Sequence, residues 1–292
     1  MRILLTGATG YIGSAVLDVL VEAGHEVTAV VRTERAARDV AGRGATAVQG
    51  DVTAVDWFAA KLAEVDAAIH AAAPDDGAPA FNDAVIDAAI RAYGEDGRRF
   101  VLTSGIWEFG AGGDLADDTV VDPPELVAWR VPREERLLAS GVDAAVVAPG
   151  VVYGHDRGLV PSLIADAPRT EAGALRLIGD GSQRWTLVHV DDLARLYLAV
   201  VEAAGVRGRI IGSDGSPTTV RALAEVVAGV VGAHGVAPET PDATRERLGS
   251  AFADALLLDQ AAAGRAARML GWVPEHASAI DDVQAAREAS AA

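Results

Sequence analysis

The stretch "RILLTGATGYIG" (residues 2–13) decides how the rest of the chain is read. A short apolar run ends at Gly7, glycine recurs at positions 10 and 13, and "SAVLDVLVEAG" (14–24) continues with apolar residues at helical spacing. This is a strand that turns through a glycine loop into a helix. At such a junction the first glycine permits the tight turn. The second lets backbone approach a pyrophosphate, and the third lets helix and strand pack closely. The helix start adds unpaired N–H groups and a partial positive charge, which suit a phosphate. Gly7, Gly10 and Gly13, with Tyr11 and Ile12 between them, are therefore candidate dinucleotide contacts.

Outward from that loop the chain alternates two kinds of segment. Apolar runs at 26–32, 45–51, 65–72, 99–104 and 142–150 read as buried parallel strands. Helical patterns lie between them at 12–23, 34–42, 54–63, 79–93 and 124–139. Strand–helix alternation implies an α/β fold with a doubly wound parallel sheet, the Rossmann arrangement. After residue 150 the loops lengthen and helices dominate, at about 190–203, 217–232, 243–257 and 259–270. The expected division is a dinucleotide-binding domain over 1–151 and a smaller, mostly helical substrate domain over 152–292. One strand near 207–213 returns to the sheet. The last residues, "AREASAA" (286–292), read as a frayed tail.

Composition removes several classes of function. The chain has 292 residues and a formal charge of -17, which repels phosphate backbones and anionic membranes. Nucleic acid and membrane are thus not expected partners, and a small-molecule substrate is. With no cysteine, thiolate metal sites, disulfides and cysteine nucleophiles are excluded. No metal site is expected, and no apolar run reaches membrane-spanning length. A cytoplasmic protein is the expectation.

The end of the second strand selects the dinucleotide. An acidic residue there binds the ribose 2′-hydroxyl of NAD, and a basic one accommodates the 2′-phosphate of NADP. The sequence reads "VVRTER" (30–35), with Arg32 at the strand end and Arg35 beyond it, so NADP(H) is expected over NAD(H). Asp51 and Val52, after the third strand, are candidate adenine contacts. Ala71 and Ala72, after the fourth, are small enough for a cofactor to lie against them. His70 reads as a core histidine.

Six segments in this order resemble the extended short-chain dehydrogenase/reductases, in the NAD-dependent epimerase/dehydratase group: "TGATGYIG", "GDV", "LTSGIWEFG", "APGVVYG", "GDGSQRWTLVHVDDLARLY" and "LGWVP". The resemblance implies a Rossmann domain holding the dinucleotide, with Pro149 and Val151 in the segment flanking the nicotinamide. It also implies a Ser or Thr after the fifth strand, matched by Ser104, and a Tyr-x-x-x-Lys pair on the next helix. That pair is missing. The tyrosines are Tyr11, Tyr93, Tyr153 and Tyr197, and the single lysine is Lys61. Aligned on "RVPRE" (130–134), Arg130 falls near the family's lysine and Leu126 near its tyrosine, with Trp129 as the other residue that can face the site. The run resembles an atypical branch in which this replacement is usual. Arg130 is then a candidate ribose anchor but no proton relay, because a guanidinium does not give up its proton.

A proton must then come from elsewhere. Tyr153 and His155 follow the sixth strand, on a loop that borders the family's substrate pocket. With Ser104 as helper they are the candidate catalytic residues. Trp107 reads as pocket wall, Glu108 as a solvated loop charge, and Asp191 or Asp192 as a helix cap.

Three functions are compatible with these features. The first is an NADP(H)-dependent oxidoreductase that transfers hydride to a small carbonyl, enone or imine. The second is a nucleotide-sugar epimerase or dehydratase, disfavoured by the missing base. The third is a non-catalytic NADP(H)-binding sensor or partner-binding protein. A homodimer through helices 79–93 and 124–139 follows from the resemblance, although Pro132 and the charged run "PREER" (132–136) stand on that face.

Overall fold

The computed structural model describes residues 1–74, 76–94 and 96–291; Asp75, Glu95 and the last tail residue, Ala292, lie outside the described residues. Seven parallel strands form the central sheet: β1 (Arg2–Thr6), β2 (Glu26–Val31), β3 (Thr46–Gln49), β4 (Ala67–His70), β5 (Arg99–Thr103), β6 (Asp143–Pro149) and β7 (Gly208–Gly212). Their order across the sheet is β7-β6-β5-β4-β1-β2-β3. The chain moves outward from β1 in one direction through β2 and β3, then restarts beside β1 with β4. The resulting crevice at the carboxyl ends of β1 and β4 is where open α/β sheets bind ligands. The seventh strand is the late apolar run at 207–213, paired with β6 from Gly208↔Ala145 to Gly212↔Pro149.

Both faces of the sheet are covered. On one lie α1 (Tyr11–Glu22) and the helix Val190–Glu202, with Val16, Leu17, Leu20, Leu193, Leu196 and Tyr197 almost fully buried against Ile3, Leu5, Ile69 and Val101. Each such Leu contributes roughly 1.5–3 kcal/mol through removal from water. On the other lie helices Val55–Ala63, Ala78–Tyr93 and Val131–Leu138, which bury Phe58, Leu62, Val85, Ile86, Tyr93 and Leu137. A third core, with Tyr153, Trp185, Leu187, Val220, Leu223 and Leu256, lies under the later helices. Among the described residues no helix is long and apolar enough to cross a membrane.

Three helical expectations need correction. The segment 124–139 is two pieces, Glu125–Ala128 and Val131–Leu138. Pro132 has no N–H to offer the carbonyl of Ala128, so the helix is interrupted there. The segment 243–257 divides into Pro241–Leu248 and Ser250–Leu256 at Gly249, whose φ of 83° no continuous helix adopts. In 259–270 only Arg265–Met269 is helical. Gln260–Ala262 is instead a strand beside Gly112–Leu115. The tail expected to fray continues the helix Ala279–Ala291.

Candidate active site at the carboxyl ends of the strands

The glycine loop has the geometry its spacing demands. Gly7 sits at φ 76°, and a Cβ there would lie 2.5 Å from the carbonyl oxygen of Ala71. A Cβ on Gly13 would lie 2.1 Å from the carbonyl oxygen of Gly7, so only glycine lets α1 approach the loop this closely. Gly10 is different. Its virtual Cβ meets only the Gly7 oxygen, at 3.2 Å. Gly10 is also the N-cap residue of α1, and no side chain caps the helix. The first-turn N–H groups thus remain for an anion, so these residues fit a dinucleotide pyrophosphate.

Beside this loop lies a cavity of about 280 Å³. Tyr11 and Ile12 line it from α1, Ser104 to Trp107 from the end of β5, Val127 and Arg130 from the interrupted helix, Pro149 to Val152 from the end of β6, and Gly158 and Leu159 from the loop beyond. The structure therefore brings Tyr11, Ile12, Ser104, Arg130, Pro149 and Val151 together. Trp107 is pocket wall, as read from sequence. Leu126 and Trp129 do not reach the cavity; Val127 and Arg130 do. The facing positions are three residues apart, and the Trp129 ring lies 5.1 Å from the Arg130 guanidinium carbon.

The Tyr11 hydroxyl donates to the carbonyl of Gly154 at 2.8 Å, and two other polar side chains at this cavity hold unengaged atoms. Ser104 is buried and its Oγ has no hydrogen-bond partner. The Nε of Arg130 is buried and unpartnered as well. Burial pulls the Arg130 pKa below its ordinary value, opposed by Glu134, Glu108 and Tyr197 nearby. Tyr197 lies behind, its hydroxyl 2.7 Å from Thr103 Oγ1, and burial raises its pKa.

Behind Arg130 stands a charge cluster that sequence reasoning missed. Glu108 is fully buried, the opposite of a solvated loop charge. Arg209 Nε lies 3.4 Å from its carboxylate, and Arg209 Nη2 lies 3.1 Å from Glu134. Neither Glu108 oxygen receives a hydrogen bond of good geometry. Burial first, and the adjacent Glu134 second, push the Glu108 pKa well above the usual carboxylate range. These surroundings favour the protonated form of Glu108.

Tyr153 and His155, the two candidates for proton transfer, are not brought to this cavity. Tyr153 is buried in the third core and donates to Asp282 Oδ2 at 2.7 Å. Burial, then that carboxylate, raise its pKa far above the phenolic range. Strand Val151–Gly154 pairs with Arg157–Gly158, which leaves His155 and Asp156 as a two-residue hairpin turn, both at φ 54°. Primed turns need positive φ at both central residues. His155 is thus an exposed hairpin tip, with Nε2 2.9 Å and 3.0 Å from the Asp191 oxygens. His155, His189 and Asp191 form one cluster of ligand-type groups outside the cavity, already satisfying one another. The helix cap expected from Asp191 or Asp192 is His189, whose Nδ1 accepts from the Asp191 N–H at 3.3 Å. Asp192 is buried and accepts from the N–H groups of Glu275 and His276, which ties down the C-terminal segment.

The remaining cofactor candidates sit at the strand ends. Arg32 is exposed just beyond β2, and Thr33, not a carboxylate, caps the next helix through Ala36 N–H at 3.2 Å. Asp51 accepts from Thr53 N at 2.9 Å and Oγ1 at 2.7 Å, which with Arg32 nearby lowers its pKa. Val52 is buried. Ala71 and Ala72 pass against the glycine loop. His70 is a core histidine as expected, with Nδ1 2.8 Å from Thr6 Oγ1 and its pKa lowered to about 4 by burial.

The family model described as NAD(P)H-binding matches residues 7–204, which span the glycine loop, the cavity and the helix after β6. The chain belongs to the NAD(P)H-binding family. The extended short-chain dehydrogenase/reductase resemblance stands with it. The chain is 30% identical over 275 residues to the 2-alkyl-3-oxoalkanoate reductase of Stenotrophomonas maltophilia, covering 86% of this chain and 82% of that one. It is 31% identical over 311 residues to a 3-diazoavenalumate denitrifying reductase of Streptomyces sp, covering 95% and 97%. The fold is similar to human epimerase family protein SDR39U1 (isoform 2), solved with NADPH: TM-score 0.71, 22% identity, 97% of this chain and 99% of that one.

Proposed function

We propose that this NAD(P)H-binding protein is an NADP(H)-dependent reductase that delivers hydride to a small organic carbonyl, enone or imine without a Tyr–Lys pair. The observation that carries the reading is the cavity joining the glycine loop to Ser104 and Arg130, apolar over most of its wall. NADPH, when bound, supplies the hydride. The first turn of α1 holds the pyrophosphate, and Arg32 and Arg35 accommodate a 2′-phosphate where no carboxylate competes. Ser104 orients an acceptor oxygen or nitrogen with a hydroxyl that the fold leaves free. Trp107, Ile106 and Leu159 give the reacting face an apolar wall. Val127, on the interrupted helix, offers no base at the cavity. This disfavours an epimerase or dehydratase, which must first oxidise a sugar carbon. The proton that follows hydride comes from water, because Tyr153 and His155 face elsewhere.

The test has two arms. Calorimetric titration with NADPH and NADH is expected to give tighter NADPH binding; tighter NADH would reverse the cofactor assignment. NADPH consumption at 340 nm is then followed with ketones, enones and imines. Binding without turnover in any class would leave a sensor or partner-binding protein as the function.

A further inference from the structure

The cavity holds one feature that hydride transfer by itself does not require: a guanidinium at its wall whose buried Nε has no acceptor. Among the described residues, the Arg130 guanidinium makes no hydrogen bond or close ion pair, and its near neighbour is the Trp129 ring at 5.1 Å. Its charge is opposed only at longer range by Glu134 and Glu108. Those two carboxyls already face Arg209, at 3.1 Å and 3.4 Å. Arg209 therefore takes up both carboxyls at close range, and Arg130 is left at the cavity wall without a close counter-ion. A buried cation without a partner is costly, and a ligand that brings the partner recovers that cost on binding.

We propose that the substrate of this site is an organic acid, a carbonyl, enone or imine compound carrying a carboxylate that Arg130 binds as its counter-ion. This rests on the reductase reading above and names the class of its substrate. A planar guanidinium suits a carboxylate, because two parallel N–H groups meet two oxygens. A ribose diol is neutral and leaves the charge uncompensated. The other walls fix the rest of the molecule: Ile106, Trp107, Val127 and Leu159 call for an apolar body between the anionic end and the reacting centre. Ser104 Oγ lies on the same wall segment as Trp107, so it meets the acceptor atom while Arg130 holds the acid. Arg130 is thus a specificity residue.

Calorimetry tests this on the full chain with and without NADP⁺. The probes are 3-oxobutanoate and benzoate, each against its methyl ester. The acids are expected to bind at least about ten times more tightly than the esters, and added chloride should narrow the gap. Arg130→Lys should keep part of the preference. Arg130→Gln, verified as folded by its thermal transition, should abolish it. Equal binding of acid and ester by the wild-type chain, or no binding of either acid, overturns the proposal. So does an Arg130→Gln chain that loses NADPH affinity yet keeps the acid preference, because Arg130 would then serve the cofactor. Acid preference without any NADPH binding would sink the reductase reading and leave the anion site standing.

Discussion

The glycine loop and the helix that faces it across the cavity were built by opposite rules. At the loop, backbone does the work and side chains are excluded: the Cβ of any residue at position 13 would lie 2.1 Å from the Gly7 oxygen. At the facing helix, side chains do the work, and four ionisable groups from three separated segments come together. Backbone rules are written in local sequence. Charge clusters assembled across the fold are not. The comparison teaches where a single sequence can be trusted, and it can be tested from both sides.

The largest effect is expected at the cluster. Arg209→Leu leaves two buried carboxyls without their cation. It should cost about 3–5 kcal/mol in denaturant unfolding, as breaking a buried ion pair does. A loss below about 1 kcal/mol would mean that the cluster is not a tightly packed unit. Next comes the loop. Gly13→Ala should lower stability by roughly 1–3 kcal/mol through overpacking and reduce NADPH affinity at the same time. Unchanged NADPH binding in that variant would detach the loop from the cofactor.

Smaller effects sharpen the contrast. Asp214, buried after β7, has its pKa raised to about 7 by burial. An acid whose folded pKa exceeds its unfolded value near 4 loses stability as pH rises through that interval, and the loss is complete above the folded value. Asp214→Asn should therefore raise the melting temperature at pH 8 and leave it nearly unchanged at pH 4. His70 behaves in the opposite sense. Its folded pKa is depressed to about 4, so the unfolded chain takes up the proton first and stability falls between about pH 6.5 and 4. The smallest change belongs to Glu108→Gln, which replaces a protonated carboxyl by an amide of the same shape and should alter stability by less than about 1 kcal/mol. A loss as large as that of Arg209→Leu would mean that Glu108 is ionised after all.

The same comparison explains what was legible. The sheet, its order of elements and the returning strand at 208–212 followed from alternating apolar runs, because each buried strand and helix declares its period locally. The glycine positions and Ser104 followed from the motif that contains them. The break in 124–139 was missed although Pro132 marks it, because the amphipathic pattern continues on both sides. Tyr153 was misjudged for a reason of geometry: a strand alternates its faces, and its hydroxyl belongs to the core that Asp282 closes from the far end of the chain. His155 looked like a pocket histidine until "HD" proved to be the turn of a two-strand hairpin. Glu108 and Arg209 are 101 positions apart, and no local pattern announces that they meet.

The proposed hydride transfer proceeds without the usual relay. Initial rates of NADPH oxidation at 340 nm with keto, enone and imino acids, for the wild-type chain and for Tyr153→Phe and His155→Ala, test it most directly. Turnover is expected with at least one class, at rates within about twofold in both variants. Saturable NADPH binding with no oxidation in any class, or a tenfold or greater loss in either variant, would contradict it.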